Sequence, residues 1–581
     1  MASEERFVYN PTQIDNIPRS KFPMNNKWIG SMYHGDLVPI EITRVMPGDS
    51  FRYQVDGFIR TATPPIAPFF GDIYCNVAAF FVPDRLVWDK TKEFYGENRE
   101  GYGIQTEILQ PRDTSGNQIE TYNHAVANNG LAKYLGLVKF GTGVKKDSPI
   151  ALNPIRSFLQ VYNDWFRNEN FDSPYLWDHN QTGDGSKTLA TIGGANYNAA
   201  SGDLPVVCKK LDRFTSCLPW AQKGQPVIIG LGDTAPIVGL DQVDVNIGAD
   251  ISGDEFVPIR LTQADDTDNT GFLYYSEGGD YYGPVNLEAD SRERVLSDDS
   301  ALAYESGLRS WMSNTNKAYV DLSTATAATV NELRFAFATQ RYLEALARGG
   351  SKYREWIKSI FGVSIGDTTA QMAEYLGGIT MRVNVDQVLQ TTGFSAGQST
   401  ELGTPGAVSV SACSEYLFTK SFAEPGYIVL VAYTKHSRMY GQGIDEIFKK
   451  HELLEEYNPK FAFIGEQGLK SNTLYFDGDK EHDNDVFGFQ EAWSEYRHKK
   501  DVCIDALNPA LTGALNYWNL AENFATKPQL NSQFLKEDRS CISRVLAGGT
   551  NGPDYFANFA INRIAVRPMP LYSVPGLIDH H

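Results

Sequence analysis

Asp36-Leu-Val-Pro-Ile-Glu-Ile-Thr-Arg-Val-Met46, then Pro47-Gly48-Asp49, then Phe51-Arg-Tyr-Gln-Val-Asp-Gly-Phe-Ile-Arg60 is the stretch that decides the fold class. Apolar and polar side chains alternate on both sides of a turn, the period of a strand with one buried face. Asp72-Ile-Tyr-Cys-Asn-Val-Ala-Ala-Phe-Phe-Val82 is more continuously apolar, a deeper strand ended by Pro83. The same signals return far downstream, in Thr380–Leu389, Tyr427–Tyr433 and Ile561–Arg567.

Helical periods lie between these strand groups. Asn153-Pro154 reads as a helix start, with a capping side chain and proline in the first turn. Ile155, Phe158, Leu159, Tyr162 and Phe166 then recur on one face. A second helix opens with the capping box Thr329-Val-Asn-Glu332 and stops at Gly349-Gly350, with Leu333, Ala336, Phe337, Leu343 and Leu346 as its expected buried stripe. A third is expected over about Lys352–Ile360, ending at Gly362. Strands at both ends with long excursions between them predict one β-barrel or sandwich whose loops have grown into subdomains. Strands fall mainly in 30–85 and 375–570, a helical and loop excursion in 86–225, an insertion in 226–320 and a helical pair in 321–365.

Composition agrees. The 581 residues include 30 Tyr, 32 Phe, 51 Gly and 28 Pro, a balance that favours strands and turns over a helical bundle. The start Met1-Ala-Ser-Glu-Glu-Arg6 leads into no apolar signal core, and no run approaches the ~18 apolar residues of a membrane span. Six scattered cysteines without a C-x-x-C pair read as free thiols. The net charge of −19 is uneven: Asp233–Glu305 holds 17 acidic residues against three basic ones, so this segment carries −14 and the remaining chain −5. Such a segment repels nucleic acid, while the rest could still face it.

A search for chemistry returns little. Gly393-Phe-Ser395-Ala-Gly397 matches the nucleophile elbow, but a loop follows it where a helix is required. His451-Glu452-Leu-Leu-Glu455 lacks the second histidine of a zinc helix and reads as a charged helix surface. Asp477, Asp479, Asp483 and Asp485 alternate as in calcium loops, a weak candidate without the glycine and closing glutamate at their offsets. No phosphate-binding glycine loop is present, so no catalytic residue and no cofactor is expected. Arg334, Arg341 and Arg348 are seven apart on one helix and form one stripe, a candidate for subunit contact beside the alternatives of a solvated face or phosphate contacts.

Several ordered segments resemble the major capsid protein of the microviruses, small tailless single-stranded DNA phages. They include Gly35–Ile40, Met46–Asp49, Phe80–Trp88, Tyr162–Arg167, Phe214–Gly224, Ala347–Tyr353, Glu374–Gly378, Gly465–Gln467, Phe487–Arg497, Arg567–Pro570 and Pro575–Leu577. The likeness spans nearly the whole chain except the acidic insertion. It implies a mainly β fold, an eight-stranded antiparallel jelly-roll with long inserted loops that carry several α-helices. The implied role is a non-enzymatic subunit of a T=1 icosahedral shell in the virion, assembled in the bacterial host cytoplasm. Implied partners are copies of itself, a circular single-stranded DNA genome, an internal scaffolding protein, a DNA pilot protein and a small basic DNA-binding protein. A host surface receptor is a further candidate. The insertion is placed like the gokushovirus threefold protrusion, which makes Asp265, Asp266, Asp268, Tyr274, Tyr275, Tyr281 and Tyr282 candidate host-contact residues. Ala373 departs from the pattern, standing where relatives commonly have proline. From the residues alone, a β-sandwich carbohydrate-active protein or a cell-surface array protein stays as the alternative, and particle size separates it from a shell subunit.

Overall fold

A computed structural model describes residues 18–95, 150–177, 204–225, 330–350, 352–389, 405–479, 483–511 and 513–572, with short stretches between them. The chain divides into two compact units, one formed by residues 1–224 and 343–581, the other by 225–342. Among the strands, in chain order, are β1 (Ser20–Pro23), β2 (Asn26–Met32), β3 (Val38–Val45), β4 (Ser50–Thr61), β5 (Ile73–Pro83), β6 (Val243–Ile247), β7 (Val257–Gln263), β8 (Gly271–Tyr275), β9 (Tyr281–Tyr282), β10 (Glu374–Val383), β11 (Ser411–Ser421), β12 (Gly426–His436), β13 (Glu466–Lys470), β14 (Val486–Glu491) and β15 (Tyr555–Arg567). Among the helices are α1 (Asn153–Val161), α2 (Val330–Arg348) and α3 (Tyr353–Phe361).

The larger unit is built on two antiparallel sheets. One has the order β1-β15-β4-β11, with β2 also pairing β15; the other has the order β10-β5-β12-β3. The alternation in β4 does what its sequence asks: Phe51, Tyr53, Val55 and Ile59 are buried while Arg52 and Arg60 are exposed. Both sheets feed a single apolar core that joins Val38, Phe51, Val77, Ile379, Leu430 and Phe559. Gly57 occupies an inward position of β4, where the Met381 methyl of the opposing sheet packs into the space a Cβ would take. Arg563, inward-facing on β15, crosses between the sheets: it donates to Thr43 Oγ1 at 2.7 Å and Tyr53 Oη at 3.2 Å and pairs with Glu41. Burial pushes the Tyr53 hydroxyl up to about 12, keeping it a neutral partner for that arginine.

β5 reads as a continuous apolar run because it is covered on both faces. The segment 153–166 lies on the outer side of its sheet, and Phe80 meets Trp165 and Phe166 with ring centroids 5.5 and 5.9 Å apart. Ile155, Phe158, Leu159, Tyr162 and Phe166 are all buried, as their period predicts. Asn153 is the first helical residue rather than the cap, and the last turn, Tyr162–Phe166, is a π-turn. That turn positions Asp164 to accept from the Ala373 N–H at 2.8 Å and Trp165 to donate to the Ala373 carbonyl at 2.8 Å. A proline at 373 could not make the first of these bonds.

Three expectations change. The run Thr380–Leu389 is two strands: β10 ends at Val383, and Val385–Leu389 pairs with Pro405–Ser409 instead. The stripe of α2 is only partly covered, since Leu333 and Phe337 are exposed while Ala336, Leu343 and Leu346 are half-buried. A helical period thus marks a face that wants cover without saying that this chain supplies it. His451–Glu455 is an irregular stretch with a 3₁₀ turn at Leu453–Glu455, not a helix; Glu455 folds back to accept from the His451 and Glu452 N–H groups at 2.9 and 3.2 Å.

The smaller unit carries a four-stranded antiparallel sheet in the order β9-β8-β7-β6. No described helix is long and apolar enough to cross a membrane.

Candidate functional site: a buried charge network and a cationic cleft

β12 leaves the core through Thr434, His436 and Arg438, each almost fully buried. His34 follows β2, and Glu522 and Glu537 come from the chain between the β13–β14 hairpin and β15. Gly35, with φ +84°, permits the approach of the last: a Cβ there would sit 2.5 Å from Glu537 Cβ. Arg438 Nη2 donates to Glu537 Oε2 at 2.5 Å, its other arm pairs with Glu522, and Lys209 Nζ lies 3.4 Å from Glu522. Two buried cations therefore face two buried carboxylates.

His34 Nε2 and His436 Nδ1 lie 2.9 Å apart, each 3.3 Å from Glu537 Oε2. Burial and the Arg438 charge push the His436 imidazole down to about 4, against the pull of Glu537. Burial pushes the Glu537 carboxyl up, but hydrogen bonding to the histidine pair and the charge of Arg438 outweigh it and hold the group well below the carboxylate range. Glu522 is likewise held at about 2, because Lys209 and Arg438 outweigh its burial. Two sets have the donor types for a metal, His34–His436–Glu537 and His436–Glu522–Cys541. Hydrogen bonding accounts for the first set without an ion. Arg438 Nη1, which can only donate, faces His436 Nε2 at 3.4 Å, so the imidazole proton belongs on Nδ1, between His34 and Glu537. His34 Nδ1 faces the hydroxyls of Thr434 at 3.1 Å and Tyr555 at 3.2 Å. The arrangement is a polar clasp rather than a reaction centre.

Arg438 and Tyr440 lead from this clasp into a cleft of about 690 Å³. Three segments distant in sequence converge on it: 211–218, the β13–β14 hairpin, and 494–501. Leu218 and Phe489 bridge through both backbone bonds at 2.8 Å, and Phe214, Leu469 and Phe487 form a second, smaller core beneath. Arg213, Arg348, Arg438, Arg497, Lys499 and Lys500 line the cleft against Asp212, Glu466, Glu491 and Asp501, and Arg213 and Arg438 are further paired with Glu446 and with Glu522 and Glu537 outside the lining. Arg348 pairs with Glu466 and lies 3.7 Å from Glu491, which also holds Arg497. Lys500 Nζ reaches the Thr473 carbonyl at 2.8 Å, and burial lowers its pKa. The run Arg497-His-Lys-Lys500 is the sequence signal that could have found this surface.

Of the arginine stripe, Arg348 joins these ion pairs, while Arg334 and Arg341 are exposed on α2. Asp477 accepts from the Asp479 N–H at 2.9 Å, Asp485 pairs with Lys527, and Asp483 is buried. These four carboxylates are in neither of the metal-competent groups found among the described residues. β8 and β9 bring Tyr274 opposite Tyr282 and Tyr275 opposite Tyr281. Asp265, Asp266 and Asp268 lie outside the described residues, as does Ser395.

Comparison with known proteins covers the whole chain. The family model described as "Capsid protein (F protein)" matches residues 12–577. Capsid protein VP1 of Spiroplasma virus 4 is 32% identical over 573 residues, covering 97% of this chain and 96% of that protein. Capsid protein VP1 of Chlamydia phage 1 is 30% identical over 616 residues, and that of Bdellovibrio phage phiMH2K is 29% identical over 562; these cover 99% and 96% of this chain, and 98% and 95% of the relatives.

Proposed function

The chain belongs to the phage capsid protein (F protein) family, and from that premise we propose how it works as the subunit of a small icosahedral shell. Its role is structural rather than enzymatic, that of a capsid protein of the virion of a microvirus-type single-stranded DNA phage. The two sheets are the halves of an eight-stranded jelly-roll, with β1 and β2 counted as one edge strand because they pair successive stretches of β15. Their strand order supports this reading, because each sheet interleaves early strands with late ones, β15 beside β4 and β12 beside β5, as Greek-key winding requires. The observation that carries the function is the match from residue 12 to 577, which leaves no part of this frame unaccounted for.

Sixty copies in a T=1 arrangement would enclose circular single-stranded DNA, with an internal scaffolding protein, a DNA pilot protein and a small basic DNA-binding protein as assembly partners. The cationic cleft is the described surface best suited to phosphate, through a sequence-independent charge interaction. The acidic insertion points away from the genome, as a threefold protrusion offered to a host receptor. Its −14 charge supports this, since facing phosphate it would add repulsion to confinement. Electron cryomicroscopy of the particle tests both assignments. An outward segment 233–305 is expected, and an inner lining made by that segment would overturn the proposal.

A further inference from the structure

We infer that the excursion between Ile447 and Ile464 is a docking surface for a second copy of this chain, an inference that rests on the shell-building reading and says where one contact is made. Not one residue of this stretch is buried, although it is rich in large apolar side chains. Phe448 is 82% exposed, Leu453 86% and Phe463 98%, with Ile447, Leu454 and Ile464 more than half exposed. Summed over the stretch, these six expose on the order of 1,000 Å², about one partner's share of a standard interface.

The segment is organised rather than loose. Asp445 accepts from the Ile447 N–H at 3.1 Å, and Asn458 from the Lys460 N–H at 2.9 Å, capping the 3₁₀ turns at Glu446–Phe448 and Pro459–Phe461. Trp493 Nε1 donates to the Phe461 carbonyl at 2.9 Å, and Lys450 donates to Glu495 and Tyr496 at 2.8 Å each. The polar groups tie the excursion to its own subunit and leave the apolar ones facing outward. A surface held this way loses little entropy on docking.

The chemistry selects the occupant. Four of the six, Leu453, Leu454, Ile447 and Ile464, are aliphatic and offer no stacking platform, and although Phe448 and Phe463 could each take a base, the stretch has no cationic excess to hold the phosphates between them. Lys449, Lys450 and Lys460 are matched by Glu452, Glu455 and Glu456, so no strongly charged partner is favoured. A neutral, apolar, preorganised surface of this size on a shell subunit fits another subunit.

The test compares the full-length chain with its Phe448→Ser and Phe463→Ser variants, and with Leu453→Lys in case a serine variant is poorly recovered. Particle formation is followed by sedimentation, and hydroxyl-radical labelling of Phe448 and Phe463 is read in free subunit and in particle. The expected result is loss of particle formation by variants whose unfolding midpoint stays within about 3 °C of the parent, with both phenylalanines protected in the parent particle. Variants that close shells at the parent's concentration would overturn the inference. So would equal labelling of Phe463 in subunit and particle, or protection that appears only when a different polypeptide is added. A parent chain that forms no particles even when co-expressed with the other proteins of its phage would instead overturn the shell reading on which the inference rests.

Discussion

β4 and β15 on one side, and the excursion 447–464 on the other, are comparably rich in aromatic and aliphatic residues, yet they end in opposite environments. In the strands apolar side chains recur at every second position, so one sheet face collects them, and Tyr53, Ile59, Tyr555 and Phe559 are excluded from water. The excursion has no constant period. Its 3₁₀ turns throw Phe448, Leu453 and Phe463 outward, and none of the three is covered within its own chain. Periodicity, more than apolar content, decides whether a segment buries itself or waits for a neighbour. A shell subunit needs both kinds: a rigid frame that is satisfied alone and surfaces satisfied only in company.

The sharpest way to break this contrast is to truncate one aromatic from each region. Phe559→Ala removes a fully buried ring and is expected to cost about 3–5 kcal/mol in denaturant unfolding of the free subunit. The buried clasp is expected to follow at a similar or slightly smaller scale. Glu537→Gln leaves Arg438 with half its compensation inside the protein and should cost about 3 kcal/mol by the same measurement.

A pH series sharpens the same point. His436 has a folded pKa of about 4, below its unfolded value, so the unfolded chain binds the proton more readily. Its contribution is fully present above about pH 6.5 and is lost as pH falls toward about 4, which amounts to about 2 kcal/mol between pH 6.5 and 5. Glu522 and Glu537, also depressed, hold their contributions above the normal carboxylate range and lose them below it. Unfolding midpoints should therefore decline first through the histidine window, and His436→Asn should flatten that first decline alone. The smallest effect belongs to the excursion: Phe463→Ser should alter free-subunit stability by no more than about 0.5 kcal/mol in the same unfolding assay.

Much of the frame was legible because β3, β4, β5, β12 and β15 advertise themselves by alternation or by continuous apolar runs. β11 was not, because a bulge between Tyr416 and Phe418 breaks its period and much of one face is exposed. Helix boundaries were readable from Gly362, which takes the left-handed cap of α3, whereas the cover over α2 was not, since a stripe does not name what buries it. The clasp escaped for a different reason. His34 and His436 are 402 residues apart and meet only after two sheets have assembled. The histidine that ends the buried run of β12 was its one local hint. The cleft had a basic run as a flag, but of its acidic counterweights only Asp501 is local, while Asp212, Glu466 and Glu491 come from other segments.

The central claim is that this chain closes shells by using surface its own fold leaves bare. Sedimentation of the full-length chain co-expressed with the other proteins of its phage tests it most directly. A discrete, closed multi-megadalton particle is the predicted result, formed by the parent and not by Phe463→Ser. A parent that stays monomeric or grows into open sheets, or a variant that assembles as the parent does, would contradict it.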